Sequence, residues 1–495
     1  MRERQAIRWQ QREAGSRRAA APTLVRALAP LASLSVLAAG LVVVGAGTAA
    51  GESGSLSSGA GVGAGAAGGS AASALAAPPD PRNTDFYADF APTEGEPGRV
   101  IRTEPAQLAT EALGDALAAG GSGSADAAGA AGLRVAAERV VYESTDAAGA
   151  PLPTAGLYIR NDGAGPAGGG ARPLAVLSPG TQGLGDQCAP SKTIPKILDV
   201  KLSPGISVGL GYEALQAQYF LARGFSVFVP DYEGVGMPGI SATYMDRAAM
   251  AHASLDAARA ASRVPDSGLG ERPRTVLYGH SQGGGATAAA AELQPDYAPD
   301  IDLVAAAASG VPADLQAFLG GIDRNINAGL YGFVAAGLSA TYPAEAGRIR
   351  AVFNDAGAAM LDRSAVSCIG DSIAGYAFAD SRQWTTDGRT IAKNFAADPE
   401  LSALLEEQRI GRGVPGVPVA VIQEPNDDVI PTPQVRRLAE DWCSGGAAVS
   451  YLEGFAPPIL PSSGSVHMAA GLHPQGAEWL AARVAGKPAG NTCSA

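Results

Sequence analysis

The sequence predicts an α/β fold, with a mostly parallel central sheet flanked by helices and a helical segment inserted late in the chain. Three observations lead there. Short apolar runs of strand length recur at 140–144, 157–160, 174–177, 225–229, 275–278, 303–308, 419–422 and 449–452. Segments of helical length at 211–222, 242–263, 432–443 and 475–484 separate many of them, the alternation that right-handed crossovers and a sheet covered on both faces require. Between 313 and 414 the alternation stops: helical patterns at 315–319, 349–353 and 401–410 follow one another without a convincing strand. That interval is expected to be a cap over the sheet, dividing a core of 85–312 from its second part at 415–495.

At the N-terminus, Arg2, Arg4, Arg8, Arg12, Arg17, Arg18 and Arg26 precede an uncharged apolar run at 31–46 and the small residues Thr48, Ala49 and Ala50. This is the pattern of an export signal, 1–50, cleaved after Ala50. Ser16-Arg17-Arg18 faintly resembles a twin-arginine signal, so the export route is open. The alternative is an uncleaved anchor, but the apolar run is short of the ~20 residues a spanning helix needs. The chain carries −12 overall, and losing residues 1–50, which hold +5, would leave −17. That sign disfavours nucleic acid as a partner.

Residues 51–84 are mostly Gly, Ala and Ser, too poor in apolar surface to offset chain entropy, and read as a flexible leader. Phe86, Tyr87 and Phe90 are the first residues expected to pack. A short helix is expected at 105–118, a loop at 120–132, and a hairpin turn across 147–154. Of the four cysteines, Cys188, Cys368, Cys443 and Cys493, none has the close spacing of a zinc site, so no metal is expected, and the serine chemistry set out below needs no cofactor. In an exported chain they suggest two disulfides, with three pairings open.

The chemistry centres on Gly279-His280-Ser281-Gln282-Gly283, which follows a strand pattern and opens an Ala-rich helix. A serine on so sharp a turn needs glycine neighbours, and the turn lifts its hydroxyl clear of the backbone. The hydroxyl needs a base oriented by a carboxylate. Of the four histidines, His280 adjoins the nucleophile and is expected to point away from it, and His252 lies in a helix as a surface or packing residue. His467, in an expected loop after the last strand, is the candidate base ahead of His473. Asp427 and Asp428 both stand where the 419–422 strand ends; Asp427 is the candidate carboxylate, and Asp428 is given a supporting role or the cap of the helix near Thr432. The order Ser, Asp, His is that of an α/β hydrolase. Oxyanion donors are expected from the Gln282 amide and from the loop after the 174–177 strand, at Gln182 or Gly183. Gly234-Val-Gly-Met-Pro-Gly239 fits a dinucleotide fingerprint, but four residues separate it from its strand and Pro238 stands where the helix should begin.

Over 85–493 the chain resembles the secretory lipases, the group that includes fungal lipase A and actinobacterial relatives. The matching pieces are Pro179-Gly-Thr-Gln-Gly183, Cys188-Ala-Pro-Ser191, Asp231-Tyr-Glu-Gly234, the Ser281 pentapeptide, Asn426-Asp-Asp-Val-Ile-Pro431 and His467. The resemblance implies Ser281, Asp427 and His467 as the triad. It implies Gln182 as the second oxyanion donor, where fungal relatives carry Asp, and the disulfides Cys188–Cys368 and Cys443–Cys493. The glycine-rich leader and the 163–170 loop depart from the family, and the cap matches it loosely. The function so implied is a secreted, monomeric ester hydrolase acting on acylglycerols or related lipid esters, in contact with a lipid interface. Rival readings are an acyltransferase or serine peptidase using the same triad, and a non-catalytic binding protein on a hydrolase fold.

Overall fold

Apolar alternation builds one nine-stranded sheet in the computed structural model, which describes residues 85–88, 93, 95–108, 134–163, 170–196, 198–201, 207–454, 456–458 and 460–493. The expected export signal and leader, Phe90 and the 120–132 loop lie outside the described residues. β1 (Val100–Ala106), β2 (Val135–Thr145) and β3 (Pro151–Asn161) form an antiparallel edge. β4 (Leu174–Ser178) leads through α1 (Pro190–Thr193), a separate hairpin of β5 (Leu198–Lys201) and β6 (Ser207–Leu210), and α2 (Glu213–Leu221) to β7 (Ser226–Pro230). Next come α3 (Arg247–Arg263), β8 (Thr275–His280), α4 (Gln282–Tyr297) and β9 (Leu303–Ser309). Helices then follow in succession: α5 (Leu315–Gly321), α6 (Leu330–Thr341), α7 (Ala346–Ala351), α8 (Asp355–Ser364), α9 (Ile369–Tyr376), α10 (Ile391–Ala397) and α11 (Pro399–Glu407). The sheet resumes with β10 (Val419–Gln423), α12 (Thr432–Ser444) and β11 (Val449–Glu453), and α13 (Ser465–Leu472) and α14 (Gln475–Val484) close the chain. Strand order is β1-β2-β3-β7-β4-β8-β9-β10-β11, parallel from β7 onward.

Successive side chains of a strand face opposite sides, and both sides are filled. Val276 and Tyr278 of β8 join Phe220 and Leu221 of α2 and Leu480 of α14 on one face. Leu277 packs on the other with Ala257 of α3 and the alanines at 288–291 of α4. Alanine there lets helix and sheet approach closely, which suits the crowded helix after the nucleophile turn.

Three expectations need correction. Pro105 and Ala106 end β1 rather than starting a helix, because β2 supplies their backbone partners; the remainder of 105–118 beyond Leu108 is outside the described residues. The 242–263 helix starts at Arg247, where the Asp246 carboxylate accepts the Ala249 N–H at 2.8 Å and caps the first turn. His467 lies in helix α13, not a loop, with Gly464 at φ 72° turning the chain into that helix.

Both disulfides have the connectivity the family resemblance implied. Cys188–Cys368 ties the segment after β4 to the start of α9 across 180 residues, and Cys443–Cys493 closes 50. By the loop-closure argument their removal is expected to cost about 5 and about 4 kcal/mol respectively. Denaturant unfolding of the Cys188→Ala/Cys368→Ala and Cys443→Ala/Cys493→Ala variants checks the order.

Candidate active site

Ser281 sits between the carboxyl end of β8 and the first residue of α4, at φ 61° and ψ −124°. Two close approaches make this backbone feasible. A Cβ on Gly279 would run into the Gly283 carbonyl, and one on Gly283 into the Ser178 carbonyl of β4. The Ser281 N–H donates to Ser309 O at 3.0 Å, pinning the turn to β9.

Asp427 and His467 are brought together from two separate segments. His467 Nδ1 lies 2.9 Å from Asp427 Oδ2 and 3.1 Å from Oδ1, with both side chains buried. Donation from Nδ1 leaves Nε2 with its lone pair, and that buried nitrogen has no hydrogen-bond partner among the described residues. Burial alone would raise the Asp427 carboxyl, but His467 and the N–H groups of Ile430 and Val429 outweigh it and hold the group below its usual range. A depressed carboxylate contributes stability above its unfolded pKa of about 3.9 and loses it as pH falls through the folded value. The stability gap between wild type and Asp427→Asn is therefore expected to narrow below about pH 4, read from melting curves at pH 6 and pH 3.

Asp428 does not cap the Thr432 helix, whose first turn has no side-chain cap. Its carboxylate accepts the Gly464 N–H at 2.7 Å and the His467 N–H at 3.3 Å, so it anchors the turn carrying the histidine. His473 ends α13, exposed, its Nδ1 accepting the Gln475 N–H at 3.2 Å.

His280 has a neighbour that the sequence did not disclose. Its ring packs on His467 with centroids 4.3 Å apart, and its Nδ1 stands 3.0 Å from Ser309 Oγ. Burial, then the neighbouring imidazole, lower its pKa to about 3, so it lies neutral against His467. Gly310, at φ 54°, leaves room for both rings. Because β8 and β9 lie side by side, a residue at the end of β8 can face a ring carried by α13, and that register is not visible in the pentapeptide. His252 is a packing residue, stacked on Tyr297 with centroids 4.0 Å apart.

The 179–183 loop leaves β4 beside the nucleophile turn. The main-chain N–H groups of Gln182 and Gln282 donate to no described residue, and both residues line one small space of about 10 Å³. Gly183, the alternative donor, has φ 124° and pairs with Cys368; a side chain there would meet the Ser367 carbonyl. Tyr232 OH donates to Pro179 O at 2.8 Å at the start of the loop, and the adjacent Asp231 accepts the Ser191 N–H at 2.7 Å and the Ser191 hydroxyl at 2.5 Å, fixing α1. The glycines at 234, 236 and 239 form turns with positive φ, well before α3 begins.

A sheet of this order, a strained serine between its central strand and the following helix, and an Asp–His pair from later segments define an α/β hydrolase. The chain belongs to the secretory lipase family, whose pattern it matches over residues 200–492, more than half its length. It is 28% identical over 358 residues to a probable inactive lipase of Mycobacterium tuberculosis, covering 72% of this chain and 75% of that protein. It is 28% identical to a secreted triacylglycerol lipase of Malassezia globosa, covering 54% of each. With lipase 6 of Candida albicans it shares 29% identity over 55% of this chain and 58% of that one. It thus spans between about half and three quarters of these relatives. Among solved structures it shares its fold with Candida antarctica lipase A in its closed state (TM-score 0.63, 18% identity, 85% and 90% coverage). The same holds for the rice cell wall degrading esterase LipA of Xanthomonas oryzae (TM-score 0.57, 18% identity, 76% and 96% coverage).

Proposed function

We propose that the protein is a secreted carboxylic ester hydrolase that cleaves acylglycerols or related lipid esters through an acyl-enzyme on Ser281. The observation that carries this reading is the buried His467–Asp427 pair with Nε2 unpartnered, in a chain whose Ser281 holds a nucleophile turn. Ser281 Oγ attacks the ester carbonyl as His467 Nε2 takes its proton; the C–O bond breaks and the alcohol leaves with that proton. Water then repeats the sequence, giving its proton to His467 and its hydroxyl to the acyl carbon, and the acid is released with Ser281 restored. Asp427 holds the imidazole in the required tautomer, and the Gln282 and Gln182 amides receive the oxyanion.

Family membership and two disulfides support secretion. No described helix is long and apolar enough to cross a membrane. The helices α5 to α11 act as a cap that selects the acyl chain, and the Cys188–Cys368 bond joins them to the oxyanion loop. The relative named as probably inactive favours a second reading, a binding protein on a hydrolase fold; the presence of Ser281, Asp427 and His467 together speaks against it. Release of fatty acid from triacylglycerols and p-nitrophenyl esters of two to eighteen carbons decides: turnover supports the first reading, and none across the panel supports the second.

A further inference from the structure

We infer that Glu213 is a positioning residue for ester hydrolysis: it grips the 179–183 loop so that the Gln182 amide stays aimed at the developing oxyanion. The inference rests on the ester-hydrolase reading of Ser281.

Glu213 is the first residue of α2, where a carboxylate ordinarily faces water near the positive end of the helix. Here it is turned inward and buried. Its Oε1 accepts the Gly180 N–H at 3.0 Å and the Gln182 Nε2–H at 2.8 Å, and its Oε2 lies 2.9 Å from the same Nε2. One side chain therefore holds the loop on both sides of Thr181, and it grips the residue whose main-chain N–H is the candidate donor. Burial raises its pKa to about 7 against the opposing pull of hydrogen bonds from its own backbone, Gly180, Gln182 and Tyr212. An inward carboxylate is costly, and an uncharged acceptor such as glutamine would satisfy the same Gly180 donor without burying a charge. Stability alone gives no reason for a carboxylate at this position.

The loop is held elsewhere by different means. Gln182 O accepts the Ile369 N–H at 2.8 Å, Leu184 N–H donates to Ser367 O at 3.0 Å, and Cys188 is bonded to Cys368. These contacts fix the carbonyl side of Gln182 and the chain after it. The peptide plane that carries the Gln182 N–H lies before it, and there Thr181 O has only a long hydrogen bond, 3.5 Å from Tyr212 OH, while Thr181 Oγ1 stands 2.7 Å from Tyr244 OH. Rotation of that plane would swing the donor away from the oxyanion, and the grip of Glu213 on Gly180 and on the Gln182 side chain opposes it. Gln182 Oε1 is buried with no hydrogen-bond partner among the described residues, so a glutamine at 213 can pair amide to amide with Gln182 and still accept from Gly180. A methionine can do neither.

The test compares Glu213→Met and Glu213→Gln in the full chain, with kcat and KM on p-nitrophenyl esters, melting temperature, and hydrogen exchange of the 180–183 amides. Glu213→Met is expected to lower kcat about 10- to 100-fold with KM within about twofold, the signature of a misplaced oxyanion donor. The loop amides should exchange about tenfold faster or more. Glu213→Gln is expected to recover most of both. Should Glu213→Met fail to fold, Glu213→Asp, which withdraws the carboxylate by one methylene, is expected to lower kcat with KM kept. The inference is overturned if the folded Met variant keeps wild-type kcat and loop protection, or if kcat, KM and melting temperature fall together without rescue by glutamine. Ser281→Ala run alongside separates the two layers: activity surviving there sinks the Ser281 reading, while the exchange data still report whether Glu213 orders the loop.

Discussion

Ser281→Ala is expected to lower kcat/KM for ester hydrolysis by about 10⁴- to 10⁶-fold, with a melting temperature close to wild type. The asymmetry between the two readouts follows from what the side chain touches. Its backbone is fixed by the Ser309 carbonyl, the α4 hydrogen bond from Gly285 N–H to Ser281 O, and the close approach of Gly279 to Gly283. The hydroxyl donates to no described residue and so contributes little to folding. Its loss removes the atom that would form the bond to the acyl carbon, and the histidine, the carboxylate and the oxyanion donors are left with nothing to activate. Initial rates across the ester panel, normalised to folded protein by circular dichroism, read the effect. Residual turnover within about tenfold of wild type would mean that another group carries the reaction.

The second large effect separates two adjacent carboxylates. Asp427→Ala is expected to cost about 10⁴-fold in kcat, because the imidazole loses both its tautomer and the charge that stabilises its protonated form. Asp428→Ala removes the acceptor for the Gly464 and His467 backbone N–H groups, which orient the turn rather than the ring. Its expected cost is about tenfold in kcat, with a melting temperature lower by a few degrees. Equal losses at the two positions, or a larger loss at Asp428, would reassign the carboxylate. Steady-state kinetics on one short ester and calorimetry of both variants are sufficient.

Local rules made much of this legible in the sequence. Strand, glycine turn and alanine helix around Ser281 follow from close packing that only small residues permit, and the strand exit at Gln423 and the acidic pair after it are contiguous in the chain. Membership of the secretory lipase family was readable from separated motifs such as Cys188 to Ser191 and Asp231 to Gly234, which meet in space through the Asp231–Ser191 hydrogen bonds. What escaped depends on contacts between distant segments. β1 takes its partners from β2 across residues outside the described ones, so its own composition does not declare it. The β5–β6 hairpin is too short and too rich in turn residues to stand out. The helix around His467 begins at a left-handed glycine and is tied down by Asp428, 39 residues earlier. The packing of His280 against His467, and the inward turn of Glu213 at a helix start, both arise from contacts that no local pattern encodes.

The central claim is that Ser281 is an activated nucleophile. A fluorophosphonate probe tests it directly, since phosphonylation requires the serine, the base and the oxyanion donors at once. The expected result is a single adduct per chain, mapped by mass spectrometry to the peptide containing Ser281, absent from Ser281→Ala and strongly slowed in His467→Ala. No adduct on the folded wild-type protein, or an adduct on another residue that persists in Ser281→Ala, would contradict the account.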